Sequence, residues 1–394
     1  MPWAKTVLVR ATPLGALRSS GETLWYRLKL PLTIDLKQKK KKKRTRTLKG
    51  KRSKSSGGAD GSVLVPLWRT KKVPLSSCCV ALGSTVYSIG SRHPPPDRTS
   101  LTRRVRKADL SCPKRGWNGS TIKMKCQRKY CSAVALDGTV YVFGGTIKTP
   151  WAEAFNPSWG EWRGLSEPPF TFPTIPGTYA LALDDDSKKI LVGSRKYLGL
   201  YLYDAKQDCW ATVDQGFGIK LSLTNPVLVD RKLYWLGMRD VFGYCLDAGT
   251  RLRASHGCSE ILQSLRETLY IYQPAFLHLS GMLFSLIWID EYMKGFYYTN
   301  LSMTYSADDP EHSLTVDAVS PPQFYPTDRP IDDMEAMLLV MMQSVRTSER
   351  ATMQMLEKAP SLKSYPVVKT AKQVSFLIFV EFFFRSNPPL PAVM

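Results

Sequence analysis

The sequence predicts an all-β fold built from one unit used several times. Three observations carry this expectation: a hairpin signal inside Cys131–Trp162, recurrence of the strand that follows its turn, and recurrence of a paired anchor behind it. Ser132–Leu136 and Thr139–Phe143 read as strands flanking Asp137-Gly138, a dipeptide that accepts the positive φ a tight hairpin needs. Gly144-Gly145 then ends the second strand where a side chain would crowd a neighbouring backbone. Phe155 and Trp162, separated by Asn156-Pro157, read as anchors of a second hairpin packed on adjoining sheets. A single unit of this kind cannot bury both faces, so copies are required.

The copies are present. The strand before the glycines recurs at Thr85–Gly90, Lys189–Gly193, Leu233–Gly237 and, more weakly, Met282–Leu286. The equivalent residues Tyr87, Tyr141, Ile190, Tyr234 and Phe284 lie 54, 49, 44 and 50 positions apart. The second half recurs as Tyr203-Asp204 with Trp210, Leu246-Asp247 with Arg253 in the tryptophan position, and Asp109 with Trp117. Within the repeats only Gly144-Gly145 is a full double glycine, so the other units are degenerate.

A period near 50 with a diglycine strand and a trailing aromatic resembles the kelch repeat over Ser76–Val319. ALDGTVYVFGG, YLYDAKQDCW and NPVLVDRKLYW are most similar to plant kelch-repeat proteins, several of which carry an F-box. The resemblance implies a kelch-type β-propeller of five or six degenerate blades over residues 61–320. It is preceded by an amino-terminal extension, 1–60, with a disordered basic segment, and followed by an irregular or helical tail, 321–394. A propeller also needs its two ends to share one blade, because an open edge invites aggregation; Ser62–Trp68 or Ser313–Val319 is the expected closing strand.

The net charge of +22 is carried by two segments. Lys37–Lys54 holds 12 Lys/Arg without an acid, and Arg98–Lys129 holds 11 against Asp109 alone, leaving the rest neutral. The first segment is low-complexity and self-repelling and is expected to be disordered. Its run Lys39, Lys40, Lys41, Lys42, Lys43 and Arg44 reads as a nuclear localisation signal, with phosphate or anionic-lipid contact and a plain solvated tail as the alternatives. Eight cysteines without CxxC spacing fit a reduced chain in the nucleus or cytoplasm rather than a zinc site or disulfide framework.

Residues 1–36 lack the apolar core of a signal peptide or membrane span, and a transit peptide stays open. An F-box would follow a Leu-Pro with a leucine-rich helix, but Leu30-Pro31 runs into lysines, so no F-box is recognisable. At the other end Asp332–Val345 reads as a helix with acids in its first turn, and 374–384 as a buried strand or irregular extension.

No residue is nominated for catalysis. Copper ligation of the galactose-oxidase kind needs paired histidines, whereas His93, His256, His278 and His312 are scattered. Asp184-Asp185-Asp186 falls where its unit needs a turn, and no hydrolase, metalloprotease or nucleotide fingerprint occurs. The expectation is a non-enzymatic, monomeric, cofactor-free propeller that binds a protein, in line with ubiquitin-ligase F-box/kelch adaptors. The alternative is a nuclear, nucleic-acid-associated propeller that binds phosphate. In a four-stranded blade the second-to-third loop and the link to the next blade open on the same face. Ser91–Arg106 and about Lys123–Tyr130 should therefore gather Arg92, Arg98, Arg103, Arg104, Arg106, Lys123, Lys125, Arg128 and Lys129 into one basic patch for an acidic partner.

Overall fold

The turn at Asp137-Gly138 forms as its dipeptide requires, with φ of 48° and 75°, and joins two antiparallel strands in register from Leu136↔Thr139 to Ser132↔Phe143. In the computed structural model the chain is described at residues 4–13, 23–31, 66, 68–70, 77–90, 102–112, 115–119, 122–170, 177–183, 187–219, 222–237, 240–256, 274–289, 292, 294–305, 313–319, 321–327, 331–333, 337–341 and 379–381. The described residues contain no α-helix.

Three strands precede the first repeated unit: β1 (Ala4–Pro13), β2 (Thr23–Pro31) and β3 (Trp68–Thr70). Blade I is then β4 (Cys78–Leu82), β5 (Thr85–Ile89), β6 (Val105–Asp109) and β7 (Trp117–Gly119). Blade II is β8 (Ser132–Leu136), β9 (Thr139–Phe143), β10 (Ala152–Phe155) and β11 (Trp162–Gly164). Blade III is β12 (Thr178–Ala182), β13 (Lys189–Ser194), β14 (Leu200–Asp204) and β15 (Cys209–Asp214). Blade IV is β16 (Val227–Val229), β17 (Lys232–Leu236), β18 (Val241–Cys245) and β19 (Thr250–His256). Blade V is β20 (Ala275–Ser280), β21 (Leu283–Ile289), β22 (Gly295–Tyr305) and β23 (Ser313–Ala318). First strands of successive blades touch, β4 with β8, β8 with β12 and β16 with β20, so the first strand of each blade faces the centre. This is a five-bladed propeller.

Aromatic residues at the repeated positions hold neighbouring blades together. Tyr87 on β5 meets Phe155 on β10 edge-on at 5.9 Å, and Tyr141 on β9 meets Tyr203 on β14 at 6.2 Å. Phe155 stacks on Trp162 at 5.3 Å, and both are buried, as the anchor reading requires. Tyr203 is equally buried, but Trp210 is only half-buried. It sits among Phe143, Trp151 and Phe170, and its indole N–H reaches the edge of blade II to donate to Ser166 O at 2.9 Å. Rings placed between sheets contribute both area and edge-to-face geometry, so each repeat stabilises its neighbour.

The chain ends differ from expectation. β24 (Gln323–Pro326) pairs with β22, and the stretch expected to be a helix at Asp332–Val345 holds β25 (Ile331–Asp333) and β26 (Met337–Met341). The apolar run Met337–Met341 has no periodicity that separates a short buried strand from a helix, and pairing with β1 decides it: Val340 lies opposite Val7 and Leu339 opposite Leu8. Inside 374–384, Phe379–Glu381 forms β27, which pairs with β26.

One sheet therefore contains both ends, in the order β27-β26-β1-β2-β3, with β25 also on β1. Its edge β27 lies against the inner strands β4, β8 and β20. Farther out, Trp25 of β2 meets Trp117 of blade I at 5.0 Å, and Tyr26 meets Phe296 of blade V at 5.7 Å. The terminal sheet thus fills the sector between blades V and I. Shared ends do close the ring, but not through the expected strands: Ser313–Ala318 is the outer strand of blade V and pairs in parallel with β19, while Trp68 begins the outer edge of the terminal sheet. The limits 61–320 leave β1, β2 and β24 to β27 outside.

Candidate interaction rim

Strands alternate in direction within each blade, so the second-to-third-strand loops and the links between blades share one face. At blade I the two kinds of segment are hydrogen-bonded to each other. The Met124 N–H donates to Arg103 O at 3.1 Å, the Arg128 N–H donates to Thr102 O at 3.3 Å, and Thr102 and Arg128 form an antiparallel bridge. This pairing brings together Arg103, Arg104, Lys123 and Lys125, all four exposed. Arg106 on β6 is half-buried, and burial, followed by the Arg104 charge, lowers its pKa. Lys129 is half-buried too, its ammonium 5.8 Å above the Tyr130 ring. Arg92 and Arg98 lie outside the described residues, as do Lys39, Lys40, Lys41, Lys42, Lys43 and Arg44.

Arg128 does not belong to the patch. Its side chain is fully buried, and it forms an ion pair with the equally buried Glu153, Nη2 to Oε1 at 2.8 Å. Nε donates to the same Glu153 oxygen at 3.2 Å, and the other bonds run to the blade II loop: Nη1 to Gly144 O at 2.7 Å and Trp151 O at 2.6 Å, and Nη2 to Pro150 O at 2.7 Å. Glu153 in turn accepts from the Lys125 N–H at 2.6 Å and the Cys126 N–H at 3.0 Å. A buried ion pair is tolerable only when its other hydrogen-bonding capacity is filled, and here backbone groups fill it. The pair fastens the inter-blade link carrying Lys123 and Lys125 onto blade II.

The glycines that end the second strands make room for that same link. A Cβ on Gly145 (φ 74°) would run into Lys129 O and come within 2.9 Å of Cys131 N, and one on Gly90 (φ 68°) would lie 2.8 Å from Arg128 O. The crowding read from the diglycine is therefore backbone crowding by 128–131, for which glycine alone fits.

Residues 127–169, which take in the end of this link and all of blade II, match the model of the Kelch motif. The fold is a kelch-type β-propeller. Stretches of the chain are similar to plant proteins of related name. It is 28% identical over 165 residues to the F-box/kelch-repeat protein At4g29370 of Arabidopsis thaliana, covering 39% of each chain. It is 36% identical over 111 residues to At4g19865 (27% of this chain, 25% of the relative) and 26% identical over 181 residues to At4g39590 (41% and 42%), both F-box/kelch-repeat proteins of the same plant. The chain spans less than half the length of each of these relatives.

Around the kelch propeller the same face presents apolar tips. Ile147 in the blade II loop, Leu198 in the blade III loop and Tyr292 in the blade V loop are 87%, 50% and 67% exposed, far more than their size and hydrophobicity favour. Exposed Lys148 and Lys196 stand beside the first two. Sequence reading missed these tips because exposure is not written in residue type. It missed Glu153 although a signal existed: a lone acid in the apolar strand Ala152–Phe155 needs a buried cation. Among the described residues no group of three His, Cys, Asp or Glu side chains is placed to hold a metal ion. His278 Nε2 is engaged with Gly281 O at 2.8 Å, His256 is described by its backbone alone, and His93, His312 and 184–186 lie outside the described residues. No described helix is long and apolar enough to cross a membrane.

Proposed function

We propose that this kelch propeller is a non-enzymatic protein-recognition module that receives an acidic partner on the rim carrying Arg103, Arg104, Lys123 and Lys125. The observation that supports it is the hydrogen-bonded pairing of 102–104 with 122–128, which collects four exposed cations from two distant segments. Arginine-bearing, partly apolar rims are what protein interfaces use: charge steers and orients, and apolar tips supply the buried centre. The fixed backbone under these side chains lowers the ordering cost of binding. The finer form of this reading, delivery of the bound protein to a ubiquitin ligase, rests on the naming of the relatives as F-box/kelch-repeat proteins.

The test is affinity capture from cell extract with the full chain, against a variant carrying Arg103, Arg104, Lys123 and Lys125 all changed to Glu. Arg128 is left intact because its reversal would bury two carboxylates together. An acidic protein retained by the wild type after nuclease treatment and lost on the variant is the expected result. Retention that disappears with nuclease, and weakens with salt at a log–log slope of about −0.9 per phosphate neutralised, would instead give the nucleic-acid function.

A further inference from the structure

At the centre of the ring, Cys78 on β4 and Cys131 immediately before β8 place their sulfurs 3.1 Å apart, with both side chains buried. The two residues lie 53 positions apart in the chain and belong to the inner edges of blades I and II. The contact is shorter than ordinary packing of two sulfurs and corresponds to one thiol donating to the other. Gly90 leaves room for the Cys131 sulfur, which a Cβ at that position would approach to 3.3 Å. The hydrogen bond from Cys78, and next to it the Arg128 guanidinium, outweigh burial and hold the Cys131 thiol below its ordinary range. An acidified thiol with a second thiol in contact is the arrangement from which disulfides form. A narrow pocket lined by Cys78, Ser132, Thr178 and Arg195 opens on Cys78, with room for a water-sized molecule rather than a bulky disulfide reagent.

We propose that Cys78 and Cys131 are a peroxide-oxidisable dithiol that closes to a disulfide joining blades I and II. The Cys78 sulfur, which lines the pocket, gives up its proton and attacks one oxygen of hydrogen peroxide, the O–O bond breaks, and the departing hydroxide takes up that proton as water, leaving a sulfenic acid. The Cys131 sulfur, 3.1 Å away, then attacks the Cys78 sulfur, the S–O bond breaks, and hydroxide leaves as a second water with the Cys131 proton. Two thiols are oxidised by two electrons, and one peroxide is reduced to two waters. The product is a covalent tie across the innermost blade contact, next to the link that carries the basic rim.

The experiment uses the reduced full chain, treated with graded hydrogen peroxide, blocked with an alkylating agent, digested with trypsin and read by tandem mass spectrometry. The expected product is peptide 73–92 joined to peptide 130–148, with fragments placing the bond at Cys78 rather than at its neighbour Cys79. It should be lost on reduction and absent from Cys131→Ser, and the oxidised chain should melt at a higher temperature than the reduced chain. Exposed Cys112 and Cys209 serve as internal controls. Cys78 and Cys131 still alkylated once both controls are oxidised, or a bond formed at Cys79, would overturn the assignment.

Discussion

Arg128 is one of the surplus positive charges, yet its charge is directed inward, and this sets it apart from Arg103 and Lys123 in the same pair of hydrogen-bonded segments. Counting charges along the chain cannot see the difference, because it depends on Glu153 arriving from the next blade. Removing Arg128 should cost far more than removing a rim cation. Arg128→Met leaves the Glu153 carboxylate buried without its partner and should lower unfolding free energy by about 3–5 kcal/mol in denaturant titration. In many proteins replacing both members of a buried pair with apolar residues restores stability. Here Arg128→Met with Glu153→Leu should not, because the N–H groups of Lys125 and Cys126 and the carbonyl of Pro150 would lose these partners as well. Full recovery in the double variant would show that the backbone bonds contribute nothing. The solvent-exposed Arg103→Ala should stay within about 0.5 kcal/mol of the parent.

At the scale of elements, legibility followed local chemistry. Asp137-Gly138 announced its turn, whereas Asp230-Arg231 makes a turn with φ of 46° and 58° and no glycine, so its strands were found only through the repeat. The terminal strands had a readable signal that repeat logic overrode: Leu24, Tyr26, Leu28 and Leu30 alternate with Trp25, Arg27 and Lys29 along β2, the pattern of a strand. They fall outside the kelch period because a closing sheet assembled from both ends has no single-segment template. The helix expectation at Asp332–Val345 failed for a related reason, since a short apolar run takes the form its partner offers, and β1 offers a strand edge. Trp25 tests this placement. It is 1% exposed against Trp117 of blade I, so Trp25→Ala should cost about 3–5 kcal/mol, and a change inside about 0.5 kcal/mol would detach the terminal sheet from the ring.

At the scale of the whole molecule, the fold class and the meeting of two basic segments could be read from the sequence, because strand alternation alone fixes which loops share a face. Which cations reach solvent, and which apolar tips stand beside them, could not, since both depend on contacts between blades. The lysine run belongs to this scale too. We propose that Lys39–Arg44 directs the chain to the nucleus, as dense basic charge without acids is read by acidic import grooves. Replacing those six positions with Gln should leave a fluorescent fusion in the cytoplasm, and unchanged nuclear accumulation would remove the assignment.

The central claim is that one face of the propeller binds the partner, and the two faces carry separable lysines. Lys123, Lys125, Lys148 and Lys196 belong to the loops and links of the proposed rim, whereas Lys188 and Lys206 lie in turns at the opposite ends of the strands. Amine-reactive cross-linking of the captured complex, read by mass spectrometry, therefore tests the claim most directly. Links to the partner from Lys123 and Lys125, extending to Lys148 or Lys196, with none from Lys188 or Lys206, are the predicted result. Links concentrated at Lys188 and Lys206 would place the partner on the other face and contradict it.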